Sequence, residues 1–467
     1  TGVEQIFGKR SKSVENRIWM ATETMIPIAT SNLPDIVVKP GAEDELSQMD
    51  AHDLQDVLAY HFERLGIQEK SERFLRDLIV KRYGVFKMSW GSDDDVEVKV
   101  VDPKRIRIPR FGKCVYDLAF LIEELEVSYG QSVELFGKAK ADELFAEGKK
   151  ESETKVRMKT RVIQEVWTND FVAHRSGNLI LKQEANPYFS KDTSKNFFTT
   201  ARKPYVIKSL FETEESLIGS TDYVQQHISI QDNLNTRKRQ IEDISNKVAN
   251  PPLLVDSDVM SEEEANNISN EPGLILYGKD AAKGDKIRFE QPGQIPNYLF
   301  QDLDSSRSEF DNIWGIHSTT RGERQGKETL GGRQLLREAD LGRVDMLGRQ
   351  LERALDEIAE YWTQLIKMFY TEEKTFTILG EDGVRFVKNF IGTKVGNVKP
   401  MVKSGSTLKQ DEYAIQQLGI LLWQNKAIGI KTLYRMIKIP NMQQALADLQ
   451  ETQASATQPA SGQGGQV

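Results

Sequence analysis

Hydrophobic residues recur at helical spacing over long stretches of this chain. In residues 332–371, every third or fourth position is apolar. This spacing places the apolar side chains on one face of an amphipathic helix. At 1.5 Å per residue the helix would be about 60 Å long, longer than a small domain is wide. The stripe comprises Val344, Leu347, Leu351, Leu355, Ile358, Trp362, Leu365 and Phe369.

Other stretches show the same periodicity. Residues 221–249 form one uninterrupted helical pattern that ends at Pro251 and Pro252, because proline cannot continue a helix. That helix would be roughly 43 Å long. Further helices are predicted over residues 14–29, 45–82, 297–318 and 410–450.

Alternation of apolar and polar residues predicts strands between the helices. GVFKMSW and VEVKVVD alternate around GSDDD, which predicts a hairpin. LLV, LILY and KIRFE predict a small β module within residues 250–296. Other strand-like runs are RVIQEVWTN, NLILKQ, KPYVIKSLF, KTFTILG and GVRFVKNF. The predicted fold class is α+β, mainly helical.

Length and composition limit the class of protein. A chain of 467 residues is too long for one ordinary core, so two to four domains are expected. No apolar run approaches the roughly 18 residues of a membrane span, and no signal-peptide pattern opens the chain. We therefore expect neither a membrane protein nor a secreted one. The single cysteine, Cys114, excludes a disulfide framework and cysteine-based metal clusters.

Negative charge is concentrated in the middle of the chain. The net charge of −8 argues against broad electrostatic binding of nucleic acid. Residues 250–296 hold nine acids and four bases, a net charge of −5. Residues 297–318 hold four acids and one base, a net charge of −3.

One loop, RGERQGKETLGG at residues 321–332, is similar to a phosphate-binding loop. Such a loop has the spacing G-x-x-x-x-G-K-[ST], which wraps backbone N–H groups around phosphates. Here Gly322 and Gly326 are one residue too close, and Glu328 replaces the hydroxyl residue. Its carboxylate would repel phosphate, so we predict no nucleotide site. No set of nucleophile, base and orienting group is evident, and we assign no catalytic residue, metal or cofactor.

Three other features have two interpretations each. His61 lies on an apolar helix face and is interpreted as a core or interface residue, because no second ligand lies at metal spacing. The acids at 93–95 are interpreted as a solvated turn in preference to a cation site. Trp314 is either a hinge anchor beneath the glycine-rich loop or, more commonly, a core aromatic.

The order of these elements resembles that of the portal proteins of tailed bacteriophages. An α+β region is followed by a long helix, an acidic β module, a shorter helix, a polar loop, a very long helix and a helical C-terminus. The resemblance covers residues from about 15 to 450. It is carried by DNLNTRKRQIEDISN, the module at 251–296, GIHSTTRGERQGKETLGGRQLLREAD, LGRQLERALDEIAEYW, and YGVFKMSW with VEVKVVDPKRIRI.

The resemblance implies a non-enzymatic ring, usually of twelve subunits, at the unique capsid vertex of the virion. Genomic DNA would pass through it during packaging and ejection. The implied partners are double-stranded DNA, the large terminase subunit, head-completion or adaptor proteins, and the major capsid and scaffolding proteins. The implied parts are a wing (1–220), stem helices (221–249 and 297–318), a clip (250–296), a tunnel loop (319–331), a spine helix with the rest of the wing (332–399), a crown (400–450) and a disordered tail (451–467).

The resemblance also implies three sets of site residues. The DNA-facing tunnel loop would contain Arg321, Gly322, Glu323, Arg324, Gln325, Gly326, Lys327 and Glu328. The channel-lining stem residues would be Asp302, Asp304, Arg307, Glu309 and Asp311. The clip would dock partners through Asp256, Asp258, Glu262, Glu263, Glu264, Lys279 and Lys283. An acidic conduit lets a polyanion slide, because each phosphate that a protein neutralises adds affinity.

Alternatives remain open at several points. The loop at 319–331 is otherwise a disordered connector whose charges are solvated. The cations at 237–239 are interpreted as salt-bridge partners for a neighbouring subunit's acids, with DNA contact as the second choice. For the whole chain, an ATP-driven motor would need a true phosphate loop. A coiled-coil scaffold or tail component without a channel would have no use for the acidic β module.

Overall fold

The computed structural model describes residues 11–32, 35–145, 160–213, 215–249, 251, 253–261, 263–264, 275–279, 287–289, 293–316, 330–379, 385–403 and 412–437. About half of these residues are helical, and the fold is mixed α+β, as the sequence predicts. The chain divides into two compact units. We call Thr1–Met25 with Thr221–Arg343 the helical unit, and Ile26–Ser220 with Val344–Val467 the mixed unit.

The helices of the described residues follow the predicted pattern closely in the middle of the chain. The predicted helices at 221–249, 297–318 and 332–371 are present as α6, α7 and α8. The helices are α1 Arg17–Ala29, α2 Glu45–Arg64, α3 Ile67–Val80, α4 Tyr129–Phe136, α5 Lys138–Leu144, α6 Tyr223–Ala249, α7 Asn297–Trp314, α8 Leu330–Phe369, α9 Glu412–Gln424 and α10 Ile430–Ile437.

The strands of the described residues form several small sheets. The predicted hairpin is present as β2 and β3, and the predicted β module as β10, β11 and β12. The strands are β1 Ile36–Pro40, β2 Tyr83–Trp90, β3 Val96–Val100, β4 Ile106–Arg107, β5 Leu121–Ser128, β6 Thr160–Trp167, β7 Phe171–Ser176, β8 Leu179–Ala185, β9 Tyr205–Ser209, β10 Leu253–Asp256, β11 Ile275–Gly278, β12 Ile287–Phe289, β13 Lys374–Leu379, β14 Arg385–Phe390 and β15 Val398–Val402.

Two antiparallel sheets share one core in the mixed unit. The first has the strand order β3-β2-β9, and the second has the order β4-β5-β6-β7-β8. Val85 and Ile207 of the first sheet pack in the same cluster as Leu121 and Trp167 of the second. All four side chains are buried, so this cluster joins the two sheets through the hydrophobic effect.

A buried charged cluster also joins the two sheets. Nζ of Lys87 on β2 lies 2.7 Å from Oε2 of Glu123 and 2.5 Å from Oε2 of Glu165. The hydroxyl of Tyr205 donates to Glu123 at 2.7 Å, and Nε1 of Trp167 donates to Glu165 at 2.8 Å. Burial favours the neutral amine, but the charges of the two carboxylates outweigh it and raise the pKa of Lys87. The lysine therefore stays charged between its two partners.

The apolar stripe of α8 is buried in the mixed unit. Of the eight stripe residues predicted from the sequence, Phe369 is half-buried and the other seven are buried. The ring of Phe369 stacks on that of Trp90, with centroids 4.5 Å apart. Gln364 lies on the same helix, where its Oε1 accepts from the N–H groups of Phe197 and Phe198 at 2.6 and 3.0 Å. The stripe is thus occupied by packing within the chain's own mixed unit.

Two predicted helices are interrupted. Residues 45–82 form α2 and α3, separated by Leu65 and Gly66, and Gly66 has φ of +58°. This left-handed conformation suits glycine and ends the α2 hydrogen-bonding pattern. Near the C-terminus, α9 and α10 replace one continuous helix, and Lys426 between them has φ of +56°. The remainder of the predicted helix at 410–450 lies outside the described residues.

The interpretation of His61 as a core residue is confirmed, and that of Asp95 as a solvated acid is wrong. His61 is fully buried, and burial lowers its pKa to about 4. Its Nε2 lies 3.1 Å from the hydroxyl of Tyr370 and 3.7 Å from Oδ1 of Asp95. Asp95 also pairs with Nη2 of Arg64 at 2.9 Å. The turn therefore sends one of its three carboxylates inward, where an arginine compensates its charge.

We expect Lys87→Met to lower the free energy of unfolding by about 3–5 kcal/mol, because the substitution leaves two buried carboxylates without their cation. Urea denaturation followed by tryptophan fluorescence measures the change. Lys99→Met on β3 is the matched control, because the Lys99 side chain is 67% exposed beside Glu97 and its pair contributes less than about 1 kcal/mol. Equal stability of the two variants would contradict this role for Lys87.

Candidate functional site

Helices α6 and α7 form an antiparallel pair at the centre of the helical unit. Nδ2 of Asn233 donates to Oγ of Ser306 at 3.1 Å, and Nε of Arg237 lies 2.5 Å from Oδ2 of Asp302. Later residues of α6 therefore meet earlier residues of α7. The small sheet of β10, β11 and β12 lies in the connection between the two helices.

The pairing follows from one apolar stripe on each helix. Leu234 is buried on α6, in a stripe that continues every three or four residues toward the start of that helix. On α7 the buried positions recur every three or four residues, as helical packing requires. The buried residues are Tyr223, His227, Gln231 and Leu234 on α6, and Leu299, Leu303, Ser306, Phe310 and Trp314 on α7.

Aromatic rings fill the end of the pair at Trp314. The Trp314 ring is fully buried and stacks on Phe310, with centroids 5.5 Å apart and an interplanar angle of 10°. The His227 ring lies 4.6 Å from Trp314, and Nε1 of Trp314 donates to Sδ of Met25 at 3.0 Å. The interpretation of Trp314 as a core aromatic is confirmed. Its role as a hinge anchor stays a prediction, because residues 317–329 lie outside the described part of the chain.

Gly315 ends α7 in a left-handed backbone conformation. Gly315 has φ of +78°, and its N–H donates to the carbonyl of Asp311 at 2.7 Å. A Cβ at this position would collide with the side chain of Arg343. The left-handed cap favours glycine here, and any larger residue would also displace the Arg343 side chain.

Residues 11–16, which we call the N-terminal strap, run along α6. The Ser11 N–H donates to Oδ1 of Asp243 at 2.7 Å, and the Glu15 N–H donates to Oδ1 of Asn235 at 3.0 Å. Nε of Arg239 donates to the carbonyl of Ser13 at 3.1 Å. The strap thus forms hydrogen bonds with α6 between Asn235 and Asp243, a stretch in which the helix has no buried side chain.

Ion pairs connect the strap and the beginning of α1 to α7. Glu15 pairs with Arg307 at 2.7 Å and with Arg17 at 2.9 Å. Arg17 in turn pairs with Asp311 at 2.8 Å. The hydrogen bond from Arg307 is the main reason that the pKa of Glu15 falls to about 2. The same bond raises the pKa of Arg307, so both groups are charged at neutral pH.

Most of the charged residues predicted to line a channel form ion pairs within the chain. Asp302 is paired with Arg237, and Asp311 with Arg17. Arg307 bridges Glu15 and Asp304. Their place in a channel stays a prediction. Among the five, Asp304 and Glu309 are exposed on the surface of α7.

One exposed stripe of α7 carries no charge. It lies opposite the buried stripe and recurs every three or four residues, so it faces away from α6. All four of its side chains are exposed amides or hydroxyls. They are Gln301, Ser305, Ser308 and Asn312.

Arg237 and Arg239 are engaged within their own chain, which differs from the expected pairing with a neighbouring subunit. Arg237 binds Asp302, and Arg239 donates to the strap. The sequence offered no signal for this arrangement, because the strap has no helical or strand periodicity. The hydrogen bonds between the strap and α6 join residues more than 200 positions apart in the sequence.

The small sheet presents acids at its surface. β10 is central, parallel to β11 and antiparallel to β12. Asp256 is half-buried and accepts from the Asp258 N–H at 3.2 Å. The Glu264 carboxylate accepts from the Ser261 N–H at 2.9 Å, which lowers its pKa. Asp258, Glu263, Glu264 and Lys279 are exposed. Whether these residues dock a partner stays a prediction, and Glu262 and Lys283 lie outside the described residues.

Lys203 and Cys114 have shifted pKa values, and both side chains donate hydrogen bonds within the fold. Burial lowers the pKa of Lys203 to about 8, but its Nζ donates to the Val115 and Leu118 carbonyls at 3.2 and 2.6 Å. Burial raises the pKa of Cys114, whose thiol donates to Asp117 at 2.7 Å. The thiol is therefore a poor nucleophile at neutral pH.

The described part of the chain gives no sign of a metal site or a membrane span. No three or more His, Cys, Asp or Glu side chains gather there as metal ligands would. Each helix in that part is too short or too polar to cross a bilayer. The predicted tunnel-loop residues 321–328 lie outside it.

We expect Glu15→Gln to reduce stability at neutral pH by about 1.5–3 kcal/mol, because charged hydrogen bonds to two arginines are lost. The pKa of Glu15 in the folded chain is about 2, against a usual value of 4.5. Its ionised form thus stabilises the fold above pH 4.5, and this contribution disappears as the pH falls toward 2. Thermal denaturation at pH 7 and at successively lower pH measures the difference from wild type.

Glu309→Gln is the control for that measurement, because Glu309 is exposed on α7. A Glu15→Gln effect as small as that of the control, or one that grows in acid, would contradict the ion-pair role.

Comparison with known proteins agrees with the arrangement of these elements. The model of the phage P22-like portal protein family matches residues 223–460, which is just over half of the 467-residue chain. The match begins at the first residue of α6 and includes the small sheet, α7 and α8. No curated protein matches the chain. The chain therefore belongs to the phage P22-like portal protein family.

Proposed function

We propose that this chain is the subunit of a ring at the unique capsid vertex of a tailed phage, and that the ring conducts genomic DNA. One observation carries the proposal. An antiparallel helix pair holds a small acid-rich sheet in its connection, and this arrangement lies inside the range that matches the portal family. A ring of such subunits would present the helix pairs as a wall and the small sheets as its tip.

In this proposal α6 and α7 are the stem helices, and the α7 stripe of Gln301, Ser305, Ser308 and Asn312 faces the DNA. Each phosphate that a protein neutralises adds affinity and a salt-dependent barrier to movement. Amide and hydroxyl groups make weaker contacts than ammonium or guanidinium groups. The pairing of Asp302 and Asp311 with arginines also keeps like-charge repulsion low. A neutral surface suits sliding in both directions.

The sheet of β10, β11 and β12 is proposed as the clip. Its exposed carboxylates can accept hydrogen bonds from a partner, and the exposed ammonium group of Lys279 can donate them. Rim charges of this kind set the rate and the specificity of association more than its affinity. That property suits a tip that binds the large terminase subunit during packaging and head-completion or adaptor proteins afterwards.

The remaining parts receive their roles from the same proposal. The mixed unit up to residue 399 is the wing, with α8 as its spine, and it contacts the major capsid and scaffolding proteins. The helices beyond residue 400 form the crown, and residues 319–331 form the tunnel loop. The chain acts without catalysis, as a structural protein of the virion that is assembled in the host cytoplasm.

Purified protein is expected to form rings with a central hole in negative-stain electron micrographs. Its mass in solution should be near a dozen times the 53.1 kDa of one chain. Light scattering over a series of protein and salt concentrations measures that mass. Monomers or rods under all of these conditions would contradict the proposal.

Replacement of Arg321, Arg324 and Lys327 by Ala is expected to leave rings intact and to reduce the DNA content of particles. These cations would touch the phosphate backbone as it moves. Quantitative PCR of nuclease-treated particles measures packaged DNA. Lys191→Ala with Lys195→Ala, at two exposed positions of the mixed unit, is the control. Particles of the triple variant that hold as much DNA as wild type would argue against the loop's role.

A further inference from the structure

A strongly basic stretch stands out in this acidic chain. Residues 104–113 read KRIRIPRFGK, which contains five cations and no acid, while the whole chain has a net charge of −8. All five cationic side chains are exposed. Arg107 pairs with Glu124 at 3.3 Å and also donates to the Lys104 carbonyl at 2.7 Å. We call residues 104–120 the basic–aromatic loop.

The same loop exposes aromatic rings. Phe111 is 65% exposed, Tyr116 is 49% exposed and Phe120 is 40% exposed. Arg110 lies over the Phe111 ring at 5.8 Å, and Arg202 lies over the Tyr116 ring at 5.1 Å. Grouped exposed rings of this size mark an interaction surface more often than isolated exposed apolar residues do.

Buried groups hold the loop in this conformation. Lys203 is buried, and its Nζ donates to the carbonyls of Val115 and Leu118. Nδ2 of Asn169 donates to the Tyr116 carbonyl at 3.0 Å. A loop fixed before binding loses little conformational entropy on association. Its rings and cations are therefore presented as a preformed surface.

The chemistry of the loop specifies an acidic partner with apolar side chains. Arginine, tyrosine and phenylalanine are enriched at protein–protein interfaces, where rings are covered and charges form pairs. The outer surface of duplex DNA offers phosphates but no apolar groups that would cover the rings. The loop therefore favours a protein surface over DNA.

The same unit carries a surface with the complementary properties. Residues 41–50 read GAEDELSQMD, with four acids and no base. Leu46 is 69% exposed and Met49 is 58% exposed. Glu43 and Glu45 are exposed beside them at the beginning of α2. We call residues 41–50 the acidic–apolar patch.

We propose that the basic–aromatic loop of one copy of this chain binds the acidic–apolar patch of the next copy. The inference rests on the proposed ring, because a ring needs two different surfaces that meet head to tail. Opposite charge sets the pairing, while Phe111 and Tyr116 cover Leu46 and Met49. Both surfaces belong to the mixed unit, so the contact is one between mixed units of neighbouring copies.

Charge reversal tests this pairing in the full-length chain. One variant combines Arg110→Glu with Lys113→Glu, and a second combines Glu43→Lys with Glu45→Lys. Asp44 stays unchanged, because its carboxylate caps α2 through the Ser47 N–H. Each variant should raise the protein concentration needed for assembly by at least about tenfold, because like charges then face each other. A chain with all four substitutions restores opposite charges and should assemble as wild type does.

Light scattering measures assembly, and circular dichroism verifies that each variant is folded. Lys191→Glu with Lys195→Glu is the control for a change in net charge and should assemble normally. Folded single-surface variants that assemble like wild type would overturn the inference and leave the proposed ring intact. Failure of the four-substitution chain to recover would also overturn the pairing. A wild-type chain that stays monomeric would overturn both proposals.

Binding of a short DNA duplex, measured by fluorescence anisotropy, separates the two kinds of partner. The loop variant should bind the duplex as wild type does. Loss of duplex binding together with unchanged assembly would show that the loop is a nucleic-acid surface and would overturn the inference.

Discussion

The ion pairs of Glu15 with Arg307 and Arg17 are the interaction on which the helical unit depends. They join the strap, the first turn of α1 and α7, while Arg17 extends the network to Asp311. Hydrogen bonds from the strap then reach α6. Three parts of the chain that are distant in sequence, the strap with α1, α6 and α7, thus share one polar network. Because charged hydrogen bonds are directional, this network adds directional contacts to the apolar packing of the helix pair.

The mixed unit uses the same principle with a different geometry. There the Lys87 ammonium compensates two carboxylates between sheets, and Arg64 compensates Asp95 beside a buried histidine. The overall negative charge of the chain is thus a poor guide to the charge that its surfaces present. On α7, Asp302 and Asp311 are paired with arginines, and exposed cations collect in the loop at residues 104–113. Local compensation explains how an acidic protein can offer several chemically distinct surfaces.

Local periodicity was sufficient to predict the long helices and the small sheet. The stripe of α8 and the C-terminal end of α6 agree with the structure because proline stops and repeated apolar positions act over a few residues. The pairing of β1 with β15 could not be predicted, since Ile36 faces Val402 across most of the chain. The break between α2 and α3 at Gly66 was not predicted, because a single glycine in a sequence does not by itself indicate a left-handed backbone conformation. The site was only partly foreseen, because ion pairs such as Glu15 with Arg307 depend on tertiary geometry.

The pairing of β1 with β15 has a consequence for synthesis on the ribosome. The mixed unit is built from Ile26–Ser220 and Val344–Val467, with most of the helical unit encoded between them. The buried face of α8 forms part of its core, and the strand β1 pairs only with β15 at Val398–Val402 among the described strands. A nascent chain therefore keeps part of this unit exposed until residues 398–402 have been synthesised. Products that end before β15 lack the strand that pairs with β1, so this strand edge stays accessible to chaperones and proteases.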